Sequence, residues 1–258
     1  MDRYRLYERC VQSPAHLCEF LLAVHGGAPK RLREDFSGTG ALARYWCAGG
    51  GQAASQREGA ERWAVVVDLD EQALEACRGV EGVEVRCGDV LSMVDQDATD
   101  VIFVGNFSIG YIHKRRVLMQ YLVASRRRLA RWGTFICDMY GGPGAMRLGG
   151  LPRRFACENG DTIHYYWSHE SADPVSGMVE NTVSFRIERA GEIIEELPNA
   201  FAYRWRLWSL PELREAMLEA GFSAVDVYND VTVGDGGVRP IRTATELGED
   251  WTALICAR

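Results

Sequence analysis

Apolar positions change period several times along the chain, and each change marks an element. Residues 4 to 24 set Leu6, Cys10, Val11, Leu17, Phe20, Leu21 and Val24 at helical spacing, and Pro14 divides them into two short helices. Further on the apolar residues run together: Trp63 to Asp70, Val83 to Val90, Asp100 to Ser108 and Gly133 to Met139. Near-continuous runs of this length suit strands buried on both faces of a parallel sheet. Between them lie helical patterns at Ala41 to Cys47, Glu71 to Arg78 and Arg115 to Leu129. Strand and helix in alternation, with short connections, imply right-handed crossovers.

After residue 140 the period becomes two. Thr162 to Trp167, Gly177 to Arg189, Glu192 to Leu197 and Phe201 to Leu207 alternate, with turns at Asp173-Pro174-Val175-Ser176-Gly177 and Ala190-Gly191. This predicts an antiparallel meander inserted at 141–208, between the fifth strand and the next helix. Ser209-Leu210-Pro211-Glu212 opens that helix with a serine cap, a first-turn proline and an early acid; it runs to Glu219, and Gly221 stops it. Ser223 to Tyr228 and Trp251 to Cys256 are the last strands. Glycine loops are expected from Gly49-Gly50-Gly51 to Glu61 and from about 229 to 249.

Composition narrows the class. With 258 residues, 47 % hydrophobic and 25 % charged, the chain can bury a large core as one α/β domain carrying an insertion. A net charge of -7 argues against a nucleic-acid partner, and Arg126-Arg127-Arg128 reads as a solvated helix end. Eight scattered cysteines form no C-x-x-C pair, which suits reduced, buried thiols. There is no apolar leader and no run of membrane-spanning length, so a cytoplasmic protein without a membrane partner is expected.

The candidate chemistry begins at Arg33-Glu34-Asp35-Phe36-Ser37-Gly38-Thr39-Gly40. Two glycines permit positive φ and a close ligand approach, and the helix after them offers free amides. Gly38-x-Gly40-x-x-Ala43 also fits a dinucleotide fingerprint. The acidic pair before the turn tilts the choice towards a ligand carrying a sulfonium and an α-amino group rather than a pyrophosphate. Here the residues resemble the class I S-adenosylmethionine-dependent methyltransferases, whose first motif runs acid-x-Gly-x-Gly-x-Gly. Glu34 stands at the acid, Gly38 and Gly40 at the second and third glycines, and Phe36 departs from the pattern where the first glycine is usual. Either Glu34 or Asp35 would face the ligand.

The resemblance implies a Rossmann-like fold: a seven-stranded, mostly parallel sheet with helices on both faces, an antiparallel last strand and the inserted meander. It divides the chain into a cofactor-binding core with lid helices (1–140), a substrate cover (141–208) and a completion of the core sheet (209–258). It implies S-adenosylmethionine as cofactor, held by the first turn from Glu34 to Gly40. Asp68, ending the second strand, would take the ribose diol, and Leu69 would pack on the adenine. Gly88, Asp89 and Val90 would meet the adenine, with Asp89 on its amine or else simply a turn residue. Asn106, Phe107 and Ser108 match the fourth motif by position. Tyr4 and Tyr7 share a helical face and are lid or core.

For catalysis Tyr111 and His113 are the candidates; His113 is a general base or an exposed histidine at a helix start. Asp138 alone does not make a metal site, so none is expected. The meander supplies aromatic residues and two arginines, serving a pocket or its own core. Tyr140, Tyr166 and Trp167 are candidate substrate contacts, and Arg204 or Arg206 would hold a substrate carboxylate. The expected activity is methyl transfer to a small molecule, at an amine ahead of a hydroxyl, in a chain for which a homodimer is entertained. An NAD-dependent oxidoreductase and a non-catalytic cofactor-binding subunit are the competing readings.

Overall fold

The computed structural model describes residues 2–50, 61–93, 98–234 and 237–258, so most of the glycine loop expected at 49–61 lies outside the described residues. Helix α1 (Arg3–Val11) starts with the Asp2 carboxylate accepting from the Tyr4 amide. Pro14 opens α2 (Pro14–His25), which stops at Gly26 in the left-handed conformation. Then follow β1 (Arg31–Asp35), α3 (Ala41–Cys47), β2 (Trp63–Asp68), α4 (Glu71–Leu74, continued by a 3-10 turn to Cys77), β3 (Val83–Cys87) and β4 (Thr99–Val104). A 3-10 turn at Ser108–Tyr111 leads to α5 (Arg115–Arg128) and β5 (Leu129–Gly141).

The next four strands are β6 (Gly149–Ala156), β7 (Thr162–Asp173), β8 (Met178–Arg189) and β9 (Glu192–Arg206). They form an antiparallel sheet in chain order, the expected meander. The chain closes with α6 (Leu210–Glu219), β10 (Val225–Tyr228) and β11 (Trp251–Ala257). Ser209 and Glu212 cap α6 reciprocally.

The large sheet runs β10-β11-β5-β4-β1-β2-β3. Six strands run in one direction, and β11 runs against them between β5 and β10. The expected α/β architecture is therefore present. Ala64 to Val67 of β2 are all buried because helices cover both faces. One face packs on α5 and α6 through Ile102, Phe135, Leu122 and Leu213. The other packs on α2 and α3 through Phe20, Leu32, Val66 and Trp46. A third cluster joins α1 (Leu6, Cys10) to the inner face of the meander (Ile163, Tyr165, Val183, Phe185). Among the described residues no helix is long and apolar enough to cross a membrane.

Several elements differ from expectation; β5 (Leu129–Gly141) and β7 (Thr162–Asp173) are longer than their apolar patterns. The fourth strand stops at Val104, because Asn106 and Phe107 both take positive φ (55° and 61°) and leave the extended region. The segments Glu192–Leu197 and Phe201–Leu207 belong to one long strand, interrupted by a register shift beside Asn199 at φ 47°. Strand β6, with no counterpart in the expected elements, is a solvent-exposed edge containing Pro152, where no apolar alternation is required.

Candidate functional site

The carboxyl ends of β1, β2, β3 and β4 lie side by side at one edge of the parallel sheet, where open α/β folds place ligands. Here a cavity of about 480 Å3 opens between the sheet, α1 and β9. Its floor is the turn after β1. Phe36, Gly38 and Gly40 take φ of 55°, 55° and 59°. The turn is tied down by Ser37 N–H donating to the Val67 carbonyl and Gly40 N–H to the Ser37 carbonyl.

A Cβ on Gly38 would meet no atom within 4 Å. Gly38 faces the cavity, so backbone is open to a ligand there. Gly40 is the reverse: a Cβ would stand 2.5 Å from Cys77 Sγ. Phe36 adopts the left-handed conformation that a glycine would favour, and its ring stacks on Tyr111 at 6.0 Å.

Neither member of the acidic pair, of which one was expected to face the ligand, lines this cavity. Glu34 Oε2 accepts from the Ala43 amide at 3.0 Å in the first turn of α3, and burial pushes its carboxyl up to about 8. Asp35 is fully buried between Arg33 Nε and the Tyr121 hydroxyl, each at 2.7 Å. Both acids brace the turn from beneath. The strand alternation that buries their neighbours gives no sign of this.

Asp68 does reach the cavity. Its Oδ2 accepts from Gly38 N–H at 2.7 Å and its Oδ1 from Asp70 N–H at 2.9 Å, while burial raises the carboxyl above its ordinary range. Leu69, 70 % exposed, offers a bare apolar face beside it. Gly88, Asp89 and Val90 complete this end. Asp89 is also a turn residue, accepting from Leu91 N–H at 2.9 Å.

The roof is α1. The Tyr4 hydroxyl donates to Asp70 Oδ2 at 2.7 Å, and Arg3 donates both to Tyr4 and to the Ala200 carbonyl, so α1 bridges core and meander. Tyr7 shares a hydrogen bond with Tyr203, and burial raises both phenols. Asp70 caps α4 through Ala73 N–H and also anchors this roof.

At the far end of the cavity stand Asn106, Ser108, Tyr111, Phe201 and Tyr203. Burial pushes the Tyr111 phenol up to about 12. His113 does not line the cavity. Its Nε2 lies 2.9 Å from the Arg204 carbonyl, which can only accept, so Nε2 carries the proton and is engaged there. The arginines are likewise turned away. Arg204 pairs with Glu180 on the outer face, while Arg206 reaches Glu212 and the His113 carbonyl and lies over the Trp208 ring.

The face that packs inward on β9 is the other one, with Phe201, Tyr203 and Trp205, because its aromatic area gains more from leaving water. Tyr166, on the outer face of β7, sits under Arg186. Phe107, Tyr140 and Trp167 lie just behind the cavity in one aromatic cluster. The Phe107 ring stands 4.9 Å from Tyr140, 6.2 Å from Trp167 and 6.0 Å from Trp205.

Of the expected residues, the structure thus gathers Tyr7, Phe36, Ser37, Gly38, Thr39, Asp68, Leu69, Gly88, Asp89, Val90, Asn106, Ser108 and Tyr111 around one space. Glu34, Asp35, Gly40, Phe107, His113, Tyr140, Tyr166, Trp167, Arg204 and Arg206 do not line it. Phe201 and Tyr203, meander aromatics expected to serve either a pocket or the meander's own core, do line it. Among the described residues no Lys, Arg or His lines the cavity, while Asp68, Asp70 and Asp89 do.

No family model and no curated protein sequence matches the chain. Solved structures do match. An S-adenosylmethionine-dependent methyltransferase from Clostridium acetobutylicum is similar over 97 % of this chain and 96 % of its own, with TM-score 0.69 and 16 % identity. A sugar N-methyltransferase from Streptoalloteichus is similar over 100 % and 92 %, with TM-score 0.69 and 14 % identity. A SAM-bound amino pentose methyltransferase from Micromonospora echinaspora, involved in calicheamicin biosynthesis, is similar over 100 % and 97 %, with TM-score 0.70 and 15 % identity. The chain has the fold of these class I methyltransferases over its whole length, meander included.

Proposed function

We propose that this chain is an S-adenosylmethionine-dependent methyltransferase that methylates an amine of a small molecule. The observation that carries the reading is the single cavity running from the open Gly38 backbone and the Asp68 carboxylate to the Asn106–Tyr111 wall. Its residues fit the cofactor. Asp68 would accept from the ribose diol, Asp89 from the adenine amine, Leu69 would cover the base, and Tyr4 and Tyr7 would close over it. An acidic, cation-free lining suits a sulfonium and disfavours a pyrophosphate. When bound, this cofactor supplies an already activated methyl group.

The chain's own task is then to align a nucleophile and exclude water, for which the aromatic wall and the α1 roof are suited. Preference for an amine rests on the far wall. His113 is held elsewhere by a carbonyl, and the raised Tyr111 phenol is no base at neutral pH. An amine that has shed its proton to solvent attacks without such help, whereas a hydroxyl needs it. The similar sugar N-methyltransferase and amino pentose methyltransferase support a small-molecule acceptor.

The test is transfer of labelled methyl from S-adenosylmethionine to a panel of amino sugars and their hydroxyl counterparts. Label on nitrogen is expected. Label on hydroxyls alone would refute the amine assignment, and no transfer to any acceptor would count against catalysis.

A further inference from the structure

The turn that follows β4 is built against its own conformational preference. Asn106 and Phe107 are successive left-handed residues, and Ser108 N–H closes onto the Gly105 carbonyl at 3.1 Å, which makes a type I′ turn. Asparagine tolerates the left-handed region. Phenylalanine does not, because its Cβ crowds the backbone there. A type I′ turn also leaves the two central N–H groups pointing out with no partner inside the turn. Asp138, on β5, takes both: Oδ2 accepts from Asn106 N–H at 2.9 Å and Oδ1 from Phe107 N–H at 2.6 Å. Both oxygens of one carboxyl group thus accept from two adjacent amides; burial raises that group up to about 7, and the two amide bonds pull it back towards the ionised form.

The turn decides what the cavity presents. Held this way, it sets Asn106 and Ser108 into the wall beside Tyr111, and sends the Phe107 ring backwards into the cluster of Tyr140, Trp167 and Trp205. Asp138 itself does not line the cavity.

We propose that Asp138 is a positioning residue of the site: its carboxylate holds the strained 105–108 turn in the one conformation that offers Asn106 and Ser108 to the bound cofactor and acceptor. This rests on the cofactor reading above. A carboxylate spent on backbone amides also explains why a lone acid at the end of β5 need be neither a base nor a metal ligand.

The test is a double-mutant cycle read by calorimetric titration with S-adenosylhomocysteine, using Asp138→Asn and Phe107→Gly. An asparagine keeps the shape but offers one acceptor and sets an N–H2 against the second amide, so in the parent chain the Kd should rise about tenfold. Glycine makes the turn Asn-Gly, the pair that favours type I′ without help. In the Phe107→Gly background the same Asp138→Asn change should therefore cost less than about threefold. If Asp138 served only general stability, the two backgrounds would show the same factor, and that equality would overturn the proposal. So would an Asp138→Asn chain that binds as tightly as the parent. A parent chain that fails to bind at all would refute the cofactor reading, and this inference with it. Binding with no change in the variants would refute this inference alone.

Discussion

Replacing Gly40 with alanine tests how the first turn is built. Gly40 sits at φ 59° where it caps α3. A side chain at that conformation costs about 1–2 kcal/mol in backbone strain. The new methyl would also stand 2.5 Å from Cys77 Sγ and 3.0 Å from Val66 Cγ1, both in the fully buried core. Cys77 cannot retreat freely, because its thiol donates to the Thr39 carbonyl at 3.1 Å. Overpacking of this kind costs about 1–3 kcal/mol, so Gly40→Ala should lose about 2–5 kcal/mol. Gly38→Ala is the control: the same backbone strain at φ 55°, but no atom within 4 Å, hence about 1–2 kcal/mol. The assay is urea unfolding of both variants, with the difference in midpoints converted through a shared slope. Equal losses for the two would refute the claim that Gly40 is required by close approach of strand and helix rather than by φ alone.

Two other consequences can be checked on the folded chain. Burial raises Glu34 from an ordinary 4.5 to about 8, so the folded state keeps a proton that the unfolded state has lost. Stability contributed at this position therefore falls as pH rises between about 5 and 8, and Glu34→Gln should remove that slope, with the gap between the chains growing by up to about 1.4 kcal/mol per pH unit. A gap independent of pH in urea unfolding would refute the assignment. His113→Ala and Arg204→Ala should each leave labelled-methyl transfer within about twofold of the parent, since surface changes away from the site act weakly; a fall of about a hundredfold for either would return that residue to the site.

Much of this architecture is legible locally. The apolar runs of β2 and β4, the proline that opens α2, and the Ser209–Glu212 cap of α6 each depend on a few adjacent residues, and each element stands close to where the periodicity puts it. What is not legible depends on partners far along the chain. Asn106 and Phe107 belong to an apolar run and leave it only because Asp138, about thirty residues later, holds their amides. Tyr4 lies over the cavity with its hydroxyl on Asp70, a contact across a separation of 66.

Alternation shows that Arg204 and Arg206 share a face opposite Tyr203 and Trp205. It cannot show which face turns inward; the arginines lie on the face turned from the cavity. The burial of aromatic area decided it. The acids Glu34 and Asp35 flank a ligand loop in sequence, yet lie under it, because the pleat of β1 and the packing of α3 and α5 direct them into the core. Strand β6 carries too little apolar alternation to be seen at all.

On the proposed reading, the cavity at the carboxyl edge of the sheet binds S-adenosylmethionine, with Asp68 as its polar anchor. Calorimetric titration of S-adenosylhomocysteine into the parent chain and into Asp68→Ala tests it most directly. Micromolar binding by the parent is expected, with a loss of about 1.5–3 kcal/mol in the variant, the worth of hydrogen bonds to a charged group. A parent chain that shows no binding at millimolar ligand, or an Asp68→Ala chain that binds unchanged, would contradict it.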